Sequence, residues 1–211
     1  MTAVTISREL GSNGARVAEG VAAELGFDLV DKNTLNRVFR QYGLGHFTSL
    51  YDSKPRLRDF FDTDARLTLD LYAQLLRAFA QAGNVVLLGR GGFAVLGELD
   101  DVVDVRVTAP LPTRIERVTA RRKGRTAAEA EARIAKEDRV RERFVKVFFG
   151  RSWNDPAGFD LVVDTETLSV DDAVAQVVEA VGQLPSDAGQ SAAQEIDPVL
   201  ARAVAQVLGR A

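Results

Sequence analysis

The sequence predicts an α/β fold on a five-stranded parallel sheet, and three observations predict it. Runs at Asn84 to Leu88, Val102 to Val107 and Phe159 to Val163 are dominated by valine and leucine, broken within only by Asp104, Arg106 and Asp160, and are read as strands covered on both faces. Segments of helical periodicity separate such runs along the chain. The N-terminus opens as strand, glycine-bearing loop and amphipathic helix, the arrangement that holds phosphates at a positive helix start.

Ala3, Val4, Thr5 and Ile6 form the first strand, and Ser7-Arg8-Glu9-Leu10-Gly11-Ser12-Asn13-Gly14-Ala15-Arg16 the loop. Gly11 and Gly14 can take backbone angles closed to other residues, so the spacing predicts successive N–H groups turned around an anion. A phosphate loop ordinarily carries a lysine for the outer phosphates and a Ser or Thr for magnesium after its last glycine. Counted from Gly14, those places hold Ala15 and Arg16. Val17, Ala18, Val21, Ala22 and Leu25 then recur at helical spacing, Gly26 stops the helix, and Phe27 to Val30 is the second strand.

Residues 32 to 82 read as mainly helical, with a break at Tyr42-Gly43-Leu44-Gly45 and a polar, aromatic stretch from Tyr51 to Phe61. Between the last two strands lie two helices, Pro112 to Arg122 and Ala127 to Phe149, the second opened by the capping-box pair Thr126 and Glu129. Ser169 and Asp172 repeat that pattern before Val170 to Val181. Leu184 to Gln194 is rich in Pro, Ser, Gly and Gln, and Asp197-Pro198 starts a final helix. The chain divides into a main domain over 1–183 with a helical pair over 112–150, a linker over 184–195 and a C-terminal helix over 196–211.

The 211 residues carry a net charge of −3 and no cysteine. That balance gives no general affinity for nucleic acid or an anionic membrane, and it excludes thiol chemistry and disulfides. No apolar run reaches the roughly 20 residues of a membrane helix. The expectation is a cytoplasmic protein with small-molecule partners. Its final helix either docks on its own chain or joins a homo-oligomer.

Chemistry-bearing residues gather at predicted strand ends. Asp31 follows the second strand, with Arg37 and Arg40 on the next helix. A carboxylate and arginines there suit a hydroxylated, phosphorylated acceptor, and an N-cap aspartate followed by surface arginines fits the spacing equally. Arg90, flanked by glycines in Gly89-Arg90-Gly91-Gly92, can approach an anion closely or mark a turn. Arginines crowd the stretch from Arg114 to Arg151, among them Arg121, Arg122, Arg125, Arg133, Arg139, Arg141 and Arg143. Most are solvated helix surface paired with nearby acids. Arg139 and Arg143, one turn apart, are the pair selected to close over a transferring phosphoryl group. His46 reads as incidental, and Trp153 either stacks on a nucleobase or anchors a turn.

Three segments resemble the cytidylate kinase-like family: Thr5-Ile6-Ser7-Arg8-Glu9-Leu10-Gly11-Ser12-Asn13-Gly14, Leu25-Gly26-Phe27-Asp28-Leu29-Val30-Asp31-Lys32, and Gly150-Arg151-Ser152-Trp153-Asn154-Asp155-Pro156 running on to Val163. The resemblance implies a three-layer phosphate-loop NTPase fold with a helical lid and a C-terminal helical appendage. It implies ATP and Mg2+ as cofactors and nucleotides as substrates, CMP or dCMP foremost. By it, Ser7, Arg8, Gly11, Ser12, Asn13, Gly14, Ala15 and Arg16 bind donor phosphates, and Asp31, Arg37 and Arg90 bind the acceptor. Arg16, Arg139 and Arg143 supply catalytic charge, with Arg16, Arg8 or a lid arginine standing in for the missing lysine, and no side-chain metal site is implied. A kinase of another small acceptor, and a nucleotide-binding module without turnover, are the alternative readings.

Overall fold

The computed structural model describes residues 2–41, 63–185 and 196–210. The break after Tyr42, the aromatic stretch, His46 and most of the linker lie outside them. In chain order the elements are β1 (Ala3–Arg8), α1 (Gly14–Leu25), β2 (Asp28–Val30), α2 (Lys32–Gln41), α3 (Thr63–Ala82), β3 (Val85–Leu88), α4 (Gly92–Leu96), β4 (Val102–Thr108), α5 (Leu111–Ala120), α6 (Ala127–Phe149), β5 (Leu161–Asp164), α7 (Val170–Gly182) and α8 (Pro198–Val207).

The strands form one five-stranded sheet in the order β2-β3-β1-β4-β5, with every pairing parallel. Between β3 and β4 the chain passes from one side of β1 to the other, so a crevice opens at the carboxyl end of β1. Arg8, Asp31 and Arg90 all fall at that end of the sheet.

The pleat divides the apolar runs between two cores. Val4, Ile6, Val86, Leu88, Val103, Val105 and Val107 pack with Val17 and Val21 of α1 and Val177 of α7. Ala3, Val85, Leu87 and Val102 face the other way, against Leu35, Tyr72, Leu75, Phe79, Phe144 and Leu200. Each fully buried large apolar side chain contributes about 1.5–3 kcal/mol, which explains why largely apolar strands settle between two helical layers.

Three sequence-level signals act as expected. Thr126 and Glu129 form a reciprocal capping box on α6. Ser169 accepts from the Asp172 N–H at the head of α7. Asp197 caps α8 through the N–H groups of Val199 and Leu200, at 2.7 and 3.2 Å. The last helix spends its apolar face within its own chain: Leu200, Ala203 and Val204 are buried, and α8 packs on α2 and α3. Arg210 then donates to the carbonyls of Ala82, Gly83 and Asn84 and pairs with Asp28. No helix among the described residues is long and apolar enough to cross a membrane.

One feature of β4 escaped the sequence reading. Asp104 stands opposite Thr5 in the parallel register, and only 3% of it is exposed. The Thr5 hydroxyl donates to its carboxylate, while the Asp104 N–H donates to Asp160 at 2.7 Å. Burial, reinforced by the nearby Asp160 charge, pushes the Asp104 carboxyl up to about 7.

A carboxyl raised in the folded state favours folding while protonated, so its contribution fades as pH climbs from about 4 to about 7. Asp104→Asn is therefore expected to raise stability at pH 8 by a few kcal/mol and to change it little at pH 4. Thermal unfolding at both pH values checks this, and an equal shift at each would show that Asp104 does not titrate in that window.

Candidate active site

The loop from Glu9 to Asn13 is set by what its polar groups bind. Ser12 donates both its N–H and its hydroxyl to the Glu9 carbonyl, at 3.3 and 2.9 Å, making a tight turn. Asn13 then takes a left-handed conformation, φ 58°, as the N-cap of α1. Ser7, Gly11, Ser12 and Gly14 are buried, while Ala15 and Arg16 are exposed.

Arginines of α5 and its C-cap grip this loop from outside. Arg114 and Arg117 reach the carbonyls of Leu10 and Gly11, at 3.5 and 3.4 Å, and Arg121 reaches the Asn13 side chain at 3.1 Å. Arg117 also binds the Thr165 hydroxyl and carbonyl, and that hydroxyl donates to the Ser12 carbonyl at 2.8 Å. With its carbonyls turned outward to α5, the loop is shaped by neighbours rather than by its own propensities.

Two carboxylates complete the frame. Glu9 pairs with Arg106 at 3.3 Å and with Arg114 at 3.4 Å. Asp138 of α6 accepts the Leu10 N–H at 3.0 Å and pairs with Arg114 and with Arg141. Arg106 is buried beneath them. It donates to the Trp153 carbonyl and to Asn154, and its guanidinium lies 4.4 Å from the centre of the Trp153 ring. Burial lowers the Arg106 pKa, and the charge of Glu9 opposes that shift. Trp153 is thus 3% exposed and anchors the turn before β5, the second of the two roles its sequence context allowed.

Above the crevice, arginines from three elements converge. Arg8, at the end of β1, donates to the Gly89 carbonyl at 3.2 Å. Arg90, after β3, is 6% exposed and lies 5.8 Å from the centre of the Phe144 ring. Arg141 of α6 faces both: burial first, then the charges of Arg8 and Arg90, lower its pKa to about 10 despite Asp138 and Glu137. Its Nε is buried with no hydrogen-bond partner among the described residues. Like charges gathered in a poorly solvated place raise one another's energy. An anion entering there relieves that repulsion and gains charge-assisted hydrogen bonds.

Gly91 makes this packing possible. Its φ of 76° is left-handed, and a Cβ on it would lie 2.7 Å from the Phe149 ring of α6. The residue next to Arg90 must therefore lack a side chain for α6 to close on the end of β3.

The predicted site residues separate accordingly. Arg8 and Arg90 come together, joined by Arg141. Arg139 and Arg143 lie on the exposed side of α6, because the stripe that faces inward runs through Ile134, Asp138, Arg141 and Val145. Asp31 caps α2, accepting from the N–H groups of Asn33 and Thr34, both at 2.9 Å. Arg37 is exposed one turn further on, 3.4 Å from the Thr34 hydroxyl.

A parallel sheet in this strand order, a loop at the head of α1 and an arginine-rich helix pair over it define a phosphate-loop kinase fold. The chain belongs to the cytidylate kinase-like family, whose sequence pattern matches residues 3–167. A cytidylate kinase from Pyrobaculum arsenaticum is 32% identical over 177 residues, 82% of this chain and 89% of its own length. A uronate isomerase from Corynebacterium glutamicum is 30% identical over 154 residues, 72% of this chain, which spans only 28% of that enzyme's length. Among solved structures, an uncharacterized protein from Eubacterium ventriosum superimposes with a TM-score of 0.65 at 19% identity, covering 87% of this chain and 99% of that one.

Because Arg141 is held among like charges, Arg141→Gln is expected to leave the unfolding midpoint unchanged or higher while weakening pyrophosphate binding about tenfold or more. Calorimetric titration and thermal unfolding of the two proteins check this. A lower midpoint with unchanged affinity would make Arg141 a purely structural residue.

Proposed function

We propose that this protein transfers the γ-phosphoryl group of ATP to a nucleoside monophosphate, with CMP and dCMP as the preferred acceptors. The convergence of Arg8, Arg90 and Arg141 at the carboxyl end of the sheet carries this reading, and family membership supports it. An acceptor phosphate oxygen attacks the γ-phosphorus in line, the bond to the β–γ bridging oxygen breaks, and ADP leaves. Such a reaction needs positioning and charge neutralisation rather than a covalent intermediate.

The backbone from Gly11 to Ala15 lies against the donor phosphates, with Ser7, Arg8, Ser12, Asn13, Gly14 and Arg16 around them. Arg90 holds the acceptor phosphate, Asp31 and Arg37 stand beside the acceptor at the neighbouring strand end, and Arg141 closes from α6 with Arg139 and Arg143 at its outer edge. Among the described residues no group of three or more acidic, His or Cys side chains is placed to hold a metal, and neither Ala15 nor Arg16 offers a hydroxyl. Magnesium then fits best as an ion carried on donor phosphates and water.

One observation favours a different acceptor. A segment like this chain forms a fraction of a uronate isomerase, an enzyme named for a sugar acid, and Asp31 already uses its carboxylate on α2. A phosphorylatable sugar acid is the acceptor on that reading.

ADP release measured with MgATP and each of CMP, dCMP, UMP and a uronic acid separates the two. The first reading expects turnover with the pyrimidine monophosphates and a fall of about a hundredfold in kcat/KM for Arg90→Ala. Turnover with the uronic acid alone would replace it.

A further inference from the structure

We infer that Arg8 delivers, from the end of β1, the positive charge that an ordinary phosphate loop delivers from a lysine at the head of its helix, and that position 14 is glycine so that Arg8 can lie across it. The inference rests on the phosphoryl-transfer reading and deepens it.

The register of the loop is the first support. Asn13, with φ 58° and ψ 10°, takes a left-handed conformation normally supplied by glycine. The consensus glycine therefore falls on Asn13, the lysine position on Gly14 and the magnesium hydroxyl on Ala15. This moves the count one residue back from the one read off the glycines alone, and it removes Arg16, which is exposed on α1, from the lysine's place.

Packing is the second. A Cβ on Gly14 would collide with the Arg8 Cβ and lie 3.0 Å from its Cγ and 3.3 Å from the Val107 Cβ. Any side chain at position 14 and the stem of Arg8 thus compete for one space. The remainder of Arg8 runs on to the Gly89 carbonyl and stands near enough to Arg141 to be the foremost charge lowering its pKa. The guanidinium therefore lies among the converging cations, having crossed the head of α1 to get there. Unlike a lysine ammonium it presents a planar fork of donors, suited to two phosphate oxygens at once.

A reciprocal swap tests this. Glycine must replace Arg8, because the collision is with its Cβ. Wild type, Arg8→Gly, Gly14→Lys and the double variant are compared by titration with inorganic tripolyphosphate and with MgATP, by ADP release and by thermal unfolding. Arg8→Gly is expected to weaken both ligands about ten- to a hundredfold with little change in melting. Gly14→Lys alone is expected to lower both the melting midpoint and affinity, and the double variant to bind more tightly than either single. Wild-type affinity in Arg8→Gly, or a double variant no tighter than Arg8→Gly, would overturn the inference and leave the kinase reading intact. Wild type that binds both ligands but releases no ADP with any monophosphate removes the acceptor assignment, while the swap is still decided by binding. Wild type that binds neither ligand overturns both.

Discussion

One carboxylate holds the candidate site together. Asp138 accepts the N–H of Leu10 in the loop and pairs with Arg114 of α5 and Arg141 of α6. Three separate segments are fixed relative to one another at that point. Without it Arg141 would face Arg8 and Arg90 with only the longer 3.7 Å contact to Glu137, and the loop would lose its tie to the helix above it. A partly buried charge network of this kind is strongly interdependent. Its geometry sets how far α6 sits from the ends of β1 and β3, and therefore how large an anion fits between them.

A second constraint is steric. Gly14 makes room for Arg8, and Gly91 makes room for Phe149. Both glycines permit an approach that places an arginine over the crevice. The departure from the usual phosphate-loop pattern is thus linked to an arginine: lysine is absent where the stem of Arg8 lies, and beside Arg90 the space that a side chain on Gly91 would fill is taken by Phe149 of α6.

Most of the fold was legible in the sequence, because largely apolar runs and capping pairs report local physics directly. Ala127 to Phe149 is bounded as read, by Thr126 and Glu129 at one end and Gly150 at the other. The site was less legible. Arg139 and Arg143 share a face, but sharing a face does not say which face is buried. The apolar positions Ile134, Phe144 and Val145 carry that information, and tracing their stripe leads to Arg141. Asp104 and Arg106 were hidden because their strand neighbours are valines, and only cross-strand register reveals that Thr5 and the Trp153 turn receive them. The exposure of Asp31's neighbour Arg37 likewise depends on how α2 lies against the sheet, which spacing does not encode.

The most direct test of the central claim is a crystal structure with a bisubstrate analogue that joins adenosine to cytidine through a pentaphosphate chain. The account predicts its phosphates between Arg8, Arg90 and Arg141, with the adenosine-side phosphates lying on the loop from Gly11 to Ala15. Phosphates seated elsewhere, such as over the basic turn from Arg122 to Arg125, with the three arginines left unchanged, would contradict it.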